Sequence, residues 1–315
     1  VKTPAFWARR GLVARVLAPL GGVTGALTSR RLARPGFDPG IAVFCAGNAG
    51  AGGSGKTILA LDLLSRLPGR PFALTRGYGG RLAGPVLVDQ VLHSAADVGD
   101  EALLLAATAP TVVARDRAAG ARLALAAGAS CLVMDDGLQN PGLAKTLSLL
   151  VIDGGYGFGN GLLLPAGPLR ESVAAAAARC GAAVLIGADT SDAAASLPPG
   201  LPVLRAGLAA SCAVPLQGEK VVAFAGIGRP EKFFASVAGL GASMAGAIAF
   251  ADHHVYRPRD TEALLALAAA REARLVTTRK DFVKLPPALR AVVLTVTVRL
   301  VWQDEPALER LLSGL

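Results

Sequence analysis

The segment Gly50-Ala51-Gly52-Gly53-Ser54-Gly55-Lys56-Thr57 fits the pattern G-x-x-x-x-G-K-[ST] at every position. It lies between an apolar run, Ile41 to Gly47, and a leucine-rich helical pattern from Thr57 to Leu67. Few features constrain a chain harder. Strand, glycine loop and helix in that order form the opening unit of a phosphate cradle on a parallel sheet. Glycines let consecutive backbone N–H groups wrap an anion without Cβ clashes, and the helix N-terminus adds partial positive charge. Gly50, Ala51, Gly52, Gly53, Ser54, Gly55, Lys56 and Thr57 are therefore the candidate nucleotide-binding residues. Lys56 is expected to reach the β- and γ-phosphates and Thr57 to hold Mg²⁺. A merely flexible glycine turn is the competing reading, and it leaves the flanking strand and helix unexplained.

Short apolar runs alternate with helical patterns along the rest of the chain. Strands are expected at 41–46, 72–75, 111–114, 131–135, 148–153, 183–187, 220–225, 275–278 and 292–298. Helical stretches at 117–127, 173–180 and 260–273 lie between several of them. Near-continuous apolar strands separated by helices predict an α/β fold. Its expected form is a P-loop NTPase-like three-layer α/β/α domain with a mainly parallel sheet. A second βα block opens at Lys220-Val221-Val222-Ala223-Phe224 and predicts a smaller α/β domain. Residues 198–218 contain Pro198, Pro199, Pro202 and Pro215 and are the expected place for a linker. The predicted division is a basic leader at 1–36, a P-loop domain at 37–215, and a domain at 216–315 that closes a cleft.

Apolar residues make up 52% of the 315, and the mean hydropathy is +0.49, which raises the question of a membrane span. The longest uncharged run, Phe233 to Ala251, is rich in Ala, Gly and Ser and fits a buried helix, turn and strand better. The chain is read as non-spanning. Its net charge of +9 is concentrated in the leader, where Lys2, Arg9, Arg10, Arg15, Arg30, Arg31 and Arg34 stand without an acid before Asp38. Phe6, Trp7, Leu12, Val13, Val16, Leu17 and Leu20 are spaced for one helical face. A cationic helix with a Trp/Phe/Leu face predicts peripheral contact with an anionic membrane surface. An ordinary packed helix is the alternative. Two Trp and three Tyr offer little for base stacking, so no nucleic-acid partner is expected. Cys45, Cys131, Cys180 and Cys212 show no paired spacing for zinc or a disulfide framework.

Several constellations could carry chemistry. Asp135 and Asp136 follow the apolar strand Cys131 to Met134 and supply hard oxygen donors for a metal. Asp97-Val98-Gly99-Asp100-Glu101 opens a helical pattern and by itself reads as an acidic cap. Asp252-His253-His254 is the one place where histidines adjoin, and a carboxylate beside a His can remove a hydroxyl proton. Gly154 to Glu171 reads as a long shaped loop, with Arg170 placed to clamp phosphate and Glu171 to approach the metal.

The ordered set GNAGAGGSGKT (47–57), TRGYGGR (75–81), VGDEALLLA (98–106), DDGLQN (135–140), GFGNGLLLPAGPLRE (157–171), FAGIGRPEKFF (224–234), FADHH (250–254) and TTRKDFVKL (277–285) closely resembles the tetraacyldisaccharide 4'-kinase family, the lipid A 4'-kinases. The resemblance runs from the leader to about Leu285. It implies a P-loop domain and a smaller α/β domain over a cleft, and a leader touching the inner membrane from its cytoplasmic face. It also implies transfer of the ATP γ-phosphoryl to the 4'-hydroxyl of a tetraacyl glucosamine disaccharide 1-phosphate, with ATP and Mg²⁺ as cofactors and no obligatory protein partner. On the matching positions, Asp100 is the implied base and His253 its assistant, with His254 outside that role. Thr57, Glu101, Asp135 and Asp136 match positions around Mg²⁺, and Arg76, Arg170 and Glu171 match further positions that meet substrate. Asn140, Arg279 and Ala102 depart from the family's usual His, Glu and Pro. The rival reading is a membrane-associated P-loop regulatory NTPase. Thr278-Arg279-Lys280-Asp281 comes near its guanine-reading [NT]-K-x-D motif but has Arg where Lys is required.

Overall fold

A computed structural model describes residues 4–314, so Lys2 of the leader lies outside the described residues. The first half of the sheet uses β1 (Ala42–Gly47), β2 (Pro71–Thr75), β3 (Val86–Leu87), β4 (Thr111–Val113), β5 (Cys131–Asp135), β6 (Leu147–Asp153) and β7 (Ala182–Ile186). The second uses β8 (Val203–Cys212), β9 (Lys220–Ala225), β10 (Ser243–Ala249), β11 (Arg274–Thr278) and β12 (Val293–Trp302). All lie in one sheet in the order β10-β9-β11-β12-β8-β7-β6-β1-β5-β2-β4-β3. Among the named strands, antiparallel pairing joins β12 with β8 and β3 with β4, and the other pairs are parallel. Every position of β5 and β7 is buried, which is why these strands read as unbroken apolar runs.

The helices are α1 (Leu12–Leu32), α2 (Lys56–Arg66), α3 (Ala95–Val98), α4 (Asp100–Ala106), α5 (Arg117–Ala126), α6 (Val173–Ala177), α7 (Pro230–Gly239), α8 (Pro258–Ala270), α9 (Arg279–Phe282), α10 (Pro287–Arg290) and α11 (Glu305–Ser313). Helices cover both faces of each half. One core of the first half packs Ala121 and Ala124 of α5 and Ala176 of α6 on the sheet, and the opposite core packs Leu59 and Leu63 of α2. Leu59 and Leu63 are fully buried, and each such leucine stabilises the fold by about 1.5–3 kcal/mol. In the second half, α8 contributes Leu264 to one core and α7 contributes Phe233 and Val237 to the other. Two layers of helix around a mainly parallel sheet are the expected fold class.

Three expectations are corrected. Residues 198–218 do not form an open linker, because β8 occupies Val203–Cys212 and pairs with both β7 and β12. Its burial is irregular along its length, so no continuous apolar run marks it. The packing also crosses residue 216 of the expected division. Trp302 and Leu308 of α11's neighbourhood join the core under α2. Trp302 Nε1 donates to Asp62 at 3.1 Å, and Arg66 pairs with Glu305 at 2.6 Å. Finally, Phe6 and Trp7 do not extend the helical face of the leader. They form a separate 3₁₀ turn, Ala5–Ala8, and α1 begins at Leu12.

The loop 154–171 holds the leader against the rest of the molecule. Trp7 Nε1 donates to the Pro165 carbonyl at 3.0 Å, Arg10 Nε to that of Asn160 at 2.9 Å, and Thr24 Oγ1 to that of Leu164. Gly21 of α1 passes so close to Leu163 that an added Cβ would stand 3.1 Å from the leucine's own. On the outer side, Leu12, Val16, Leu20, Val23 and Leu27 are exposed at spacings of four, four, three and four, one helical stripe. Among the described residues, α1 is also the one helix long and apolar enough to cross a membrane by length and composition.

Candidate active site

The parallel strands bring their C-terminal ends to one edge, where open α/β sheets bind ligands. The glycine loop leaves β1 there and runs into α2 through Gly55. Gly55 has φ +93°, a left-handed conformation that glycine adopts without steric penalty. The loop 154–171 backs this cradle, since Ala51 N donates to the Pro168 carbonyl and Arg170 N to that of Ala49, both at 2.8 Å. Lys56 curls over the loop, its Nζ 3.2 Å from the Gly52 carbonyl and 3.8 Å from Asp136.

Strand β5 pairs with β1 so that Asp135 stands opposite Ala46, which sets the carboxylate beside the cradle. Thr57 Oγ1 donates to Asp135 Oδ2 at 2.9 Å, while the buried Oδ1 has no hydrogen-bond partner. Burial, with Glu101 and Asp136 nearby, outweighs Lys56 and the Thr57 hydroxyl and pushes the Asp135 carboxyl up to about 7. A buried, half-satisfied carboxylate beside a threonine hydroxyl fits a hard cation. Among the described residues no three His, Cys, Asp or Glu side chains gather into a metal cage. Burial would raise Asp136 too, but Lys56 and Arg170 outweigh it and hold its carboxyl low.

Asp100 is the first residue of α4 and is nearly fully buried. Gly99 before it has φ +88°, and a Cβ there would stand 2.4 Å from the Tyr78 carbonyl, so only glycine delivers the turn. His253 reaches Asp100 from the loop after β10, with Nδ1 2.9 and 3.1 Å from the two carboxylate oxygens. Its backbone lies at φ +58°, a conformation uncommon outside glycine and found disproportionately at functional sites. Burial opposes ionisation of Asp100, yet the His253 hydrogen bond, Lys280 and Lys284 together hold its carboxyl below the usual range. The Asp100 bond raises His253 against the effect of its own burial. His254 lies elsewhere, 3.0 Å from Asp260 and stacked on Phe250.

The remaining expected residues divide. Glu101 faces Lys280 at 3.4 Å. Arg170 pairs with Asp136 at 3.1 Å and donates to Gln139 Oε1 at 3.1 Å. Glu171 is buried behind them, accepting from Gln139 at 2.9 Å and Arg179 at 2.7 Å. Its partners are these side chains rather than the carboxylates near Thr57. Arg76 follows β2 and is exposed.

Sequence reasoning missed the cations around Asp100. Lys280 lies 3.9 Å and Lys284 3.7 Å from Oδ2, and Lys284 forms a further ion pair with Asp281 at 2.8 Å, without hydrogen-bond geometry. A spacing of four, from α9 into the turn after it, was the available signal, easily lost in a basic chain. Gln139 and the buried Arg117, which burial lowers to about 10, were missed as well.

Fold and cradle together define a P-loop protein of the doubly wound α/β class. A tetraacyldisaccharide-1-P 4'-kinase family profile matches residues 13–315. The chain is 57% identical over 98% of its length to the tetraacyldisaccharide 4'-kinase of Gluconacetobacter diazotrophicus, 97% of which is covered. It is 52% identical, over its full length, to the enzyme of that name from Rhodospirillum rubrum, covering 98% of that chain. The chain belongs to the tetraacyldisaccharide-1-P 4'-kinase family and is a kinase. Its fold is that of LpxK from Aquifex aeolicus, solved in complex with ATP, with a TM-score of 0.78 at 24% identity. That match covers 96% of this chain and 99% of the other.

Proposed function

We propose that this chain transfers the γ-phosphoryl group of ATP to the 4'-hydroxyl of a tetraacyldisaccharide 1-phosphate, with Asp100 as base. The observation that carries the reading is the Asp100–His253 pair, 2.9 Å apart, on the sheet edge that also holds the cradle and Asp135. A sugar hydroxyl is a weak nucleophile, so a carboxylate must accept its proton as the new P–O bond forms. The low carboxyl of Asp100 keeps it ionised to accept that proton. His253 orients Asp100 and, as imidazolium, stabilises its charge. Lys56 neutralises charge on the phosphoryl oxygens, and Arg170 with Asp136 positions the acceptor side. Thr57 and Asp135, with Glu101 and Asp136 near, would hold Mg²⁺, which when bound neutralises the phosphates. Arg76 and Glu171 complete the substrate-side set, Arg76 by contact and Glu171 through Gln139 and Arg179. The exposed stripe of α1 supports peripheral attachment at the cytoplasmic face of the inner membrane, where such an acyl substrate resides.

The regulatory NTPase reading is disfavoured by Asp281. It is fully buried and bound to Gly226 N, Thr278 and Tyr256, so it does not read a base. The test is transfer of γ-labelled phosphate from ATP/Mg²⁺ to tetraacyldisaccharide 1-phosphate in detergent, with Lys56→Ala as blank. Label on the lipid, absent from the blank, is the expected result. ATP hydrolysis without lipid labelling would overturn the acceptor assignment.

A further inference from the structure

A cavity of about 310 Å³ opens beside the C-terminal end of α1, within the size range of small-ligand clefts. Leu32 lines it from the end of α1 and Arg34 from the chain just past it, Lys145 and Ser148 from the approach to and body of β6, and Arg179 from the turn before β7. None of its described lining residues is acidic. Lys145 Nζ donates to the carbonyls of Asn140 at 2.6 Å and Leu143 at 3.2 Å, which leaves one of an ammonium's three donors. Burial lowers the Lys145 ammonium, and Arg179 nearby pushes the same way. A cation withdrawn from water is stabilised by an anionic partner, and of the three cationic side chains only Lys145 is withdrawn; Arg34 stands exposed at the rim, and Arg179 already has Glu171 at 2.7 Å.

The surface leading to this cavity indicates where such an anion comes from. The exposed aliphatic stripe of α1, from Leu12 to Leu27, runs towards Arg30 and Arg31 in the last turn, then Leu32 and Arg34 at the cavity. An apolar track that ends in a cationic socket matches a lipid, with acyl chains along the helix and a phosphate group in the socket.

We propose that the cavity lined by Arg34 and Lys145 binds the phosphate group of an anionic membrane lipid lying along α1. Such a lipid fixes the depth and tilt of the leader at the membrane surface, and the assignment stands independently of the transfer reaction.

The test uses the full chain and two sets of phosphatidylcholine vesicles, one doped with phosphatidic acid and one with oleate to the same zeta potential. Oleate supplies negative charge without a phosphomonoester. The wild type is expected to bind the phosphatidic acid vesicles more tightly. Lys145→Gln, recessed from the surface, should weaken that binding about fivefold and leave binding to oleate vesicles unchanged. Arg34→Ala at the rim should weaken binding to phosphatidic acid by a similar factor, and serves if Lys145→Gln fails to melt like the wild type. Calorimetry with glycerol 3-phosphate distinguishes a soluble source. Saturable binding lost in both variants, with vesicle binding untouched, would overturn the lipid as occupant. Equal wild-type affinity for the two vesicle types, or variants that match the wild type throughout, would overturn the site.

Discussion

Replacing Asp100 with Asn preserves side-chain size and an acceptor oxygen for His253 Nδ1, now 2.9 Å away, while removing one negative charge. A positioned base contributes about 10²–10⁴-fold in rate, roughly 3–5 kcal/mol of barrier, and the variant is expected to lose turnover within that range. The stability cost is bounded by the neighbours. Lys284 retains Asp281 at 2.8 Å and Lys280 retains Glu101 at 3.4 Å, so neither cation is stranded. A loss of about 1–3 kcal/mol is expected, below that of breaking an isolated buried pair. ATP binding should hold, because Lys56 and Thr57 open α2 and their side chains bond Gly52, Asp135 and Asp136 rather than Asp100. The assay is single-turnover phosphoryl transfer with nucleotide binding measured separately, alongside NMR titration of His253. The raised His253 ionisation has the Asp100 bond as its first cause, so its titration should move down in the variant. Turnover within about threefold of wild type in a folded variant, with that titration moved, would refute the base assignment.

Other perturbations test other parts of the argument. The Asp100–His253 pair faces Lys280, Lys284, Asp252 and the Tyr78 ring, and its contribution to stability depends on pH. Asp100 is lowered, so its share is present above about pH 4 and is lost as pH falls through its folded value. His253 is raised, so its share is complete below about pH 6.5 and fades as pH rises through its folded value. Chemical denaturation across pH should show both limbs flattened in Asp100→Asn, and unaltered limbs would refute the pairing. Gly99→Ala should destabilise by more than about 1 kcal/mol, because it combines φ +88° with a Cβ 2.4 Å from the Tyr78 carbonyl, and a wild-type melting temperature would contradict that geometry. Trp302→Ala should cost about 3–5 kcal/mol and expose α2 to proteolysis, since its ring fills the core under that helix; cleavage confined to the second half would separate the two. Cys45, fully buried and pushed by that burial to about 11, should alkylate at neutral pH only on unfolding, and rapid labelling of it in the native protein would show that burial to be wrong.

Local chemistry made much of this protein legible in one dimension. The glycine loop could be read because phosphate binding needs backbone N–H groups freed of Cβ, and only a glycine-rich run between strand and helix supplies them. The buried strands β1, β5 and β7 could be read because burial on both faces leaves no polar positions to interrupt them. Asp100 and His253 were picked out by resemblance, since an acidic helix start and a histidine pair have structural explanations of their own. What no window of sequence carries is juxtaposition. Parallel pairing of β5 on β1 sets Asp135 beside Thr57, and the course of β10 sets His253 on Asp100 across 153 residues. Strand β8 escaped notice because its irregular burial leaves no run or alternation, although it joins the two halves of the sheet. Lys280 and Lys284 are two lysines among 32 basic residues until α9 packs beside α4, where closeness to a buried carboxylate gives them meaning. Sequence by itself determined the elements and the cradle, because these depend on residues a few positions apart. Tertiary structure decided which charges meet, because electrostatic energy depends on distance in space and on burial, and neither is ordered along the chain.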